Sequence, residues 1–125
     1  MSMPYILYVE DNANDVALLQ HQLAGQAIAA GILQVETPDV FVSTLQYMRP
    51  DLILADGNVP GFDTHAALAT ARQHCPEVPF YYLTGNQSPE RAAALCAAGA
   101  TGCLYKGDRR SVATAIRDAL ARRTA

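Results

Sequence analysis

The chain alternates between short apolar runs and longer segments in which apolar residues recur at helical spacing. Residues 52–54 read LIL, and such an unbroken apolar run is typical of a strand covered on both faces. Similar runs begin near Tyr5, Ile32, Val78 and Gly102. Strands that alternate with helices predict right-handed crossovers and a parallel sheet between two helical layers. We therefore expect a three-layer α/β domain with a doubly wound, five-stranded parallel sheet.

The segments between the runs carry start and stop signals for five helices. Apolar spacing predicts a first helix from Ala13 to about Gly31. A second helix is predicted over residues 40–48, behind an Asp39 cap. The others are predicted to begin at Asp63 or Thr64, at Ser88-Pro89-Glu90, and after an Asp108 cap.

Four of the predicted strands end in polar residues. These are Glu10 and Asp11 after the first strand, Asp56 after the third, Thr84 after the fourth and Lys106 after the fifth. Turn residues follow Asp56 at once, so this aspartate also fits the simpler role of starting a turn. Parallel strands bring their carboxyl ends to one edge of the sheet, where the ligands of such sheets bind. We therefore expect the five side chains to line one pocket.

Three carboxylates in one pocket repel one another, by about 4 kcal/mol for a pair about 4 Å apart at an effective dielectric constant of about 20. Lys106 supplies one compensating charge, and an oxygen-bound Mg²⁺ ion is suited to supply the rest. A metal, a lysine and a hydroxyl group around a carboxylate are what phosphoryl transfer to that carboxylate requires. Asp56 is thus the candidate nucleophile and would form an aspartyl-phosphate.

Composition limits the class of protein. The 125 residues, 50% hydrophobic and 17% charged, suffice for one globular domain with its own core. A net charge of -3 gives no general attraction to nucleic acid. The arginines near the end predict a solvated basic face, or else a docking surface for an acidic partner. The three cysteines lack zinc or CxxC spacing, which favours free thiols in a reducing cytosol. Without a signal peptide or a run of bilayer length, we expect a soluble, cytoplasmic domain with no membrane insertion.

The segments YVEDN, DLILADGNVPGFD, LTGN and LYKG together resemble the motifs of response-regulator receiver domains of two-component signalling, in their order and close to their spacing. The resemblance, to chemotaxis-type receivers among others, extends over essentially all of residues 1–125 and implies one domain with the flavodoxin-like receiver fold. It implies a phosphorelay domain that takes its phosphoryl group from a sensor histidine kinase or a phosphotransfer protein. Phosphorylation would switch protein contacts, without direct binding to nucleic acid. Such a domain catalyses its own phosphorylation and dephosphorylation and is not a turnover enzyme.

The resemblance also implies a role for each site residue. Asp56 resembles the phosphoacceptor, and Thr84 and Lys106 resemble the switch hydroxyl and the phosphoryl-binding lysine. Gly85 fits the small residue that the family needs beside the switch hydroxyl. The metal, Mg²⁺ or Mn²⁺, is implied to bind Glu10, Asp11, Asp56 and the backbone carbonyl of Asn58.

Three positions depart from the family pattern. Cys103 stands where an aromatic residue usually rotates inward, and Tyr105 lies one pleat further along the same face of the strand. Tyr105 either takes over part of that readout or is an ordinary half-buried strand residue. Gly107 replaces the usual proline after the lysine, so we expect a trans peptide there, because a cis bond would cost roughly 2.5 to 4 kcal/mol. Thr64 replaces a typical glycine at a helix start.

Two other functions are compatible with parts of the sequence. The first is flavin binding, because residues 84–86 (TGN) resemble the phosphate loop of flavodoxins. That loop normally follows the first strand, however, and here it follows the fourth. A receiver fold used as an unphosphorylated interaction module is the stronger rival, and Cys103 and Gly107 favour it. The presence of all the acidic residues and of Lys106 favours phosphorylation. The three histidines are scattered on predicted helices and are not expected to donate phosphoryl groups.

Overall fold

A computed structural model of the protein describes residues 3–57, 59–85 and 89–122. Strands and helices alternate through these residues, as the apolar runs predicted. The elements are β1 (Tyr5–Val9), α1 (Ala13–Gly25), β2 (Gly31–Val35), α2 (Pro38–Tyr47), β3 (Leu52–Asp56), α3 (Thr64–His74), β4 (Phe80–Thr84), α4 (Pro89–Ala97), β5 (Gly102–Tyr105) and α5 (Arg109–Arg122).

The strands form a single sheet in the order β2-β1-β3-β4-β5, and every neighbouring pair is parallel. The predicted doubly wound sheet is thus confirmed. The chain moves outward from β1 to β2, then crosses back to β3 and continues to the other edge. This reversal lies between β1 and β3, and it places the ends of these two strands side by side at the usual ligand-binding edge of such sheets.

Two apolar layers hold the helices against the sheet. On one face, α1 and α5 pack their buried residues against the sheet, among them Leu19, Leu23 and Ile116. On the other face, α2, α3 and α4 pack around Phe41 and Leu68. Among the helices that the structure describes, none has the length and apolar character needed to span a bilayer.

Two helix boundaries differ from the prediction. The first helix ends at Gly25 and not near Gly31, because Ala27 takes a left-handed backbone conformation (φ 57°) and Gly31 already pairs with β1. The apolar Ile28, which extended the helical pattern, packs against the core from the loop. The second helix is capped by Thr37 rather than Asp39, since the Thr37 side chain accepts a hydrogen bond from the backbone N–H of Val40.

Candidate functional site

The ammonium group of Lys106 lies at the centre of the site and contacts three carboxylates. Its Nζ is 3.0 Å from Oε2 of Glu10, 2.8 Å from Oδ2 of Asp15 and 2.9 Å from Oδ2 of Asp56. These partners are 96, 91 and 50 residues away in sequence, so the contacts depend on the parallel sheet that brings the strand ends together. We refer to these four residues as the acidic cluster.

Glu10 follows β1 and is the most deeply buried member of the cluster, with 1% of its surface exposed. The backbone N–H groups of residues 11 and 12 donate to its Oε1 at 3.1 and 3.2 Å. The Tyr8 hydroxyl donates to its Oε2 at 3.4 Å. The pKa of Glu10 is raised to about 7, first by burial and then by the neighbouring Asp56, against the opposing effect of Lys106.

The other two carboxylates come from the end of β3 and from the first turn of α1. Asp56 ends a strand whose other four residues are buried, and its own side chain is 16% exposed. Asp15 belongs to a helix that begins four residues after β1, where Asn12 caps it by accepting from the N–H of Asn14 at 2.9 Å. This short connection brings Asp15, 30% exposed, to within 2.8 Å of the Lys106 ammonium group.

Thr84 ends β4, and Lys106 directly follows the neighbouring strand β5. Thr84 pairs with Tyr105 in the β4–β5 register, and the N–H of Lys106 donates to the carbonyl oxygen of Thr84 at 2.7 Å. Burial lowers the pKa of Lys106, but the hydrogen bonds that its ammonium group donates to three carboxylates outweigh this effect, so its pKa is raised above the usual value. Lys106 is therefore fully charged at neutral pH.

The carboxylates fit a hard, oxygen-loving cation. In the part of the chain that the structure describes, oxygens of Glu10, Asp15 and Asp56 lie within 4.8 Å of one another. Three acidic groups share one ammonium group, so a divalent cation would relieve an excess of negative charge. Asp11 is exposed and is not in this group, and its role as a metal ligand stays a prediction. Asn58 lies outside the described residues.

Asp15 is the member of the cluster that sequence reasoning missed. An acidic residue in the first turn of a helix is ordinarily explained by the helix dipole, so the sequence offered no reason to single out Asp15. Its place four residues after Asp11, one helical turn beyond the acidic end of the first strand, is the one feature that could have identified it.

The structure also describes the region of β5 in which the sequence departs from the family pattern. Cys103 is half-buried and packs against the core on the α2–α4 side of the sheet. Tyr105 is half-buried as well. No cis peptide occurs among the described residues, so the bond between Lys106 and Gly107 is trans, as predicted.

Comparisons with known proteins agree with this fold. The family model of the response regulator receiver domain matches residues 6–117. The signal receiver domain of a putative Luxo repressor protein from Vibrio parahaemolyticus is 23% identical, with a TM-score of 0.82 over 97% of this chain and 92% of that one. A response regulator from Hahella chejuensis is 26% identical, with a TM-score of 0.76 over 95% and 88%.

A third similar structure is the receiver domain of the sensor histidine kinase PA1611 from Pseudomonas aeruginosa PAO1, which holds a magnesium ion in its active-site cleft. It is 23% identical, with a TM-score of 0.79 over 96% of this chain and 99% of that one. No functionally curated protein gave a match. Because the family model spans most of the chain, and the strand ends bring acidic residues to a lysine at one edge, this chain belongs to the response regulator receiver domain family.

Proposed function

We propose that this receiver domain accepts a phosphoryl group on Asp56 from a phosphohistidine of a sensor histidine kinase or a phosphotransfer protein. The observation that carries the proposal is the position of Asp56, which ends the central strand within 2.9 Å of the Lys106 ammonium group. Two further carboxylates contact the same ammonium group. A carboxylate held beside a lysine at a ligand-binding edge has the surroundings of a phosphoryl acceptor.

The proposed reaction is a displacement at phosphorus. An Oδ atom of Asp56 attacks the phosphorus of the donor and forms a new O–P bond. The P–N bond of the phosphohistidine breaks, and the imidazole nitrogen keeps the electron pair and takes up a proton. Lys106 then hydrogen-bonds a phosphoryl oxygen, while the Thr84 hydroxyl at the neighbouring strand end contacts another.

We also propose that the reaction requires a divalent cation. Mg²⁺, or Mn²⁺ in its place, would be held by Glu10 and Asp56 together with Asp15 or Asp11, and by the backbone carbonyl of Asn58. When bound, the cation neutralises negative charge on the transferring group. The oxygen-only donor set and the excess of carboxylates over cations in the acidic cluster support this assignment.

Phosphorylation would act by changing protein contacts. The surface around α4 and α5 adjoins β5, the strand that directly precedes Lys106. We propose that this surface contacts the downstream protein. The rival function, an interaction module that is never phosphorylated, is favoured by Cys103, because this side chain is too small to act as an aromatic switch.

The test is intact-mass spectrometry after incubation with acetyl phosphate and Mg²⁺. The parent should gain the mass of one phosphoryl group, and Asp56→Asn should gain none. Asp118→Asn is the matched control, because Asp118 is exposed on α5 and the same change there should leave labelling intact. An unlabelled parent, or equal labelling of the parent and Asp56→Asn, would reject the proposal in favour of the interaction module.

A further inference from the structure

The ring of Tyr105 lies directly against Gly107, two residues further along the chain. An ideal Cβ atom built on Gly107 would be 2.7 Å from Cζ and 2.9 Å from Oη of Tyr105, and it would also overlap Cε2. Real Cβ contacts are essentially never shorter than 3.0 Å. The tyrosine ring therefore occupies the space that any larger residue at position 107 would need.

Close approach, and not backbone conformation, explains the glycine at this position. Gly61 and Gly99 have φ values of 75° and 111°, in the region that side chains rarely adopt. The φ of Gly107 lies outside that region. The backbone at position 107 would accept other residues, so the ring of Tyr105 is what restricts it.

The tyrosine and the glycine flank Lys106 within one tight turn. The N–H of Asp108 donates to the carbonyl oxygen of Tyr105 at 3.0 Å, which closes a turn with Lys106 and Gly107 in its two middle positions. The N–H of Lys106 is held by Thr84 at 2.7 Å. Asp108 also accepts from the N–H of Ser111 at 3.1 Å at the start of α5. The turn that carries the lysine is thus hydrogen-bonded to β4 through Thr84 and to the start of α5 through Asp108, and the ring of Tyr105 packs against it.

We propose that Tyr105 is a positioning residue for Lys106: its ring, packed on Gly107, keeps the turn in the shape that points the ammonium group at the acidic cluster. The catalytic consequence rests on the proposed function, because it requires Lys106 to assist phosphorylation of Asp56. The packing supplies a local substitute for the conformational restriction that a proline after the lysine would give.

The labelling test compares Tyr105→Ala, Gly107→Ala and the double variant by their initial rates of labelling with acetyl phosphate. Each single change removes the same contact, the first by deleting the ring and the second by pushing it away. Each should slow labelling at saturating Mg²⁺ and phosphodonor by roughly tenfold, the scale of a small misplacement of a catalytic group. The double variant should be no slower than either single variant, since residues that act as a unit are not additive.

Matched variants separate positioning from a general loss of stability. Tyr105→Phe keeps the ring and should label at the parent rate. Tyr47→Ala, at a side chain that is 87% exposed, and Gly25→Ala, where nothing lies within 4 Å of the added Cβ, should also leave the rate unchanged. In a Lys106→Met background, Tyr105→Ala should have no further effect on the rate, because the ring acts through the lysine.

Two labelling results would overturn the proposal: parent rates in both single variants, or effects that multiply in the double variant. A second readout does not require phosphorylation. Lys106 is the only lysine in the sequence, so protein made with isotopically labelled lysine gives a single side-chain Cε–H signal in NMR, from the carbon that carries the ammonium group. Tyr105→Ala and Gly107→Ala should move this signal, whereas Tyr105→Phe and Gly25→Ala should leave it near its parent position.

The NMR readout keeps the two proposals distinguishable. If the parent is never labelled but the signal moves as described, the proposed function fails while the positioning of Lys106 by Tyr105 stands. If the parent is labelled but the signal does not respond to Tyr105→Ala or Gly107→Ala, the positioning role fails while the proposed function stands.

Discussion

Replacing Lys106 with methionine removes the ammonium group that three carboxylates share, while keeping an unbranched side chain of similar length. In the parent, a divalent cation must compete with this ammonium group, which lies 2.8 to 3.0 Å from Glu10, Asp15 and Asp56. In the variant, the three carboxylates face one another without it. We expect the variant to be less stable without metal and to bind Mg²⁺ more tightly.

The magnitude follows from the separations within the cluster. The carboxylate oxygens lie within 4.8 Å of one another, and two unit charges at that upper limit repel by about 3.5 kcal/mol at an effective dielectric constant of about 20. Because the Asp15 side chain is 30% exposed, solvent screening reduces this repulsion. We therefore expect the bound cation to relieve about 2 kcal/mol, which corresponds to a Kd about thirtyfold lower than in the parent.

The assay is calorimetric titration of the metal-free proteins with Mg²⁺ at pH 8, where Glu10 is mostly ionised. Arg110→Met is the matched control, because it changes the net charge equally at an exposed position on α5 and should leave the Kd unchanged. An equal or weaker affinity in Lys106→Met would contradict this prediction, since it would mean that the cation does not compete with this ammonium group.

Three further predictions address the other members of the site and its support. In Mg²⁺ titrations, Asp15→Asn and Asp11→Asn should identify the metal ligand, and the geometry of the acidic cluster predicts the larger loss of affinity for Asp15→Asn. Because the folded-state pKa of Glu10 is raised to about 7, metal-free protein should lose up to about 3 kcal/mol of stability as the pH rises from about 5 to 8. Urea unfolding should show this loss, and Glu10→Gln should abolish it. Arg72 donates to carbonyl groups that include Gly99 O at 2.9 Å, so Arg72→Met should lower the free energy of unfolding by about 1 to 2 kcal/mol, whereas parent-like stability would contradict this role.

The sheet could be predicted from the sequence because buried parallel strands appear as unbroken apolar runs. The last strand was predicted to begin near Gly102 and to be followed by Lys106, and it spans Gly102–Tyr105. The convergence of Glu10, Asp56 and Lys106 followed from the same topology, since strand ends meet at one edge. Local signals also predicted the Asp108 cap of α5, whose carboxylate accepts from the N–H of Ser111.

Features that depend on tertiary packing could not be predicted in this way. Ile28 continues the apolar pattern of α1, although the helix has already ended at Gly25 and the backbone at Ala27 is left-handed. Asp15 joins the acidic cluster because Lys106, 91 residues away, reaches it across the sheet edge. The contact between Tyr105 and Gly107 depends on a side-chain rotamer, which periodicity does not report.

Phosphorylation of Asp56 is tested most directly by locating the phosphoryl group itself. Protein treated with acetyl phosphate and Mg²⁺ would be reduced with borohydride, which converts an aspartyl-phosphate to homoserine, and its peptides would be sequenced by mass spectrometry. If Asp56 is the phosphoacceptor, homoserine should appear at position 56 and at no other aspartate. Reduction at Asp15 or Asp11 instead, or labelling that resists borohydride, would contradict this role of Asp56.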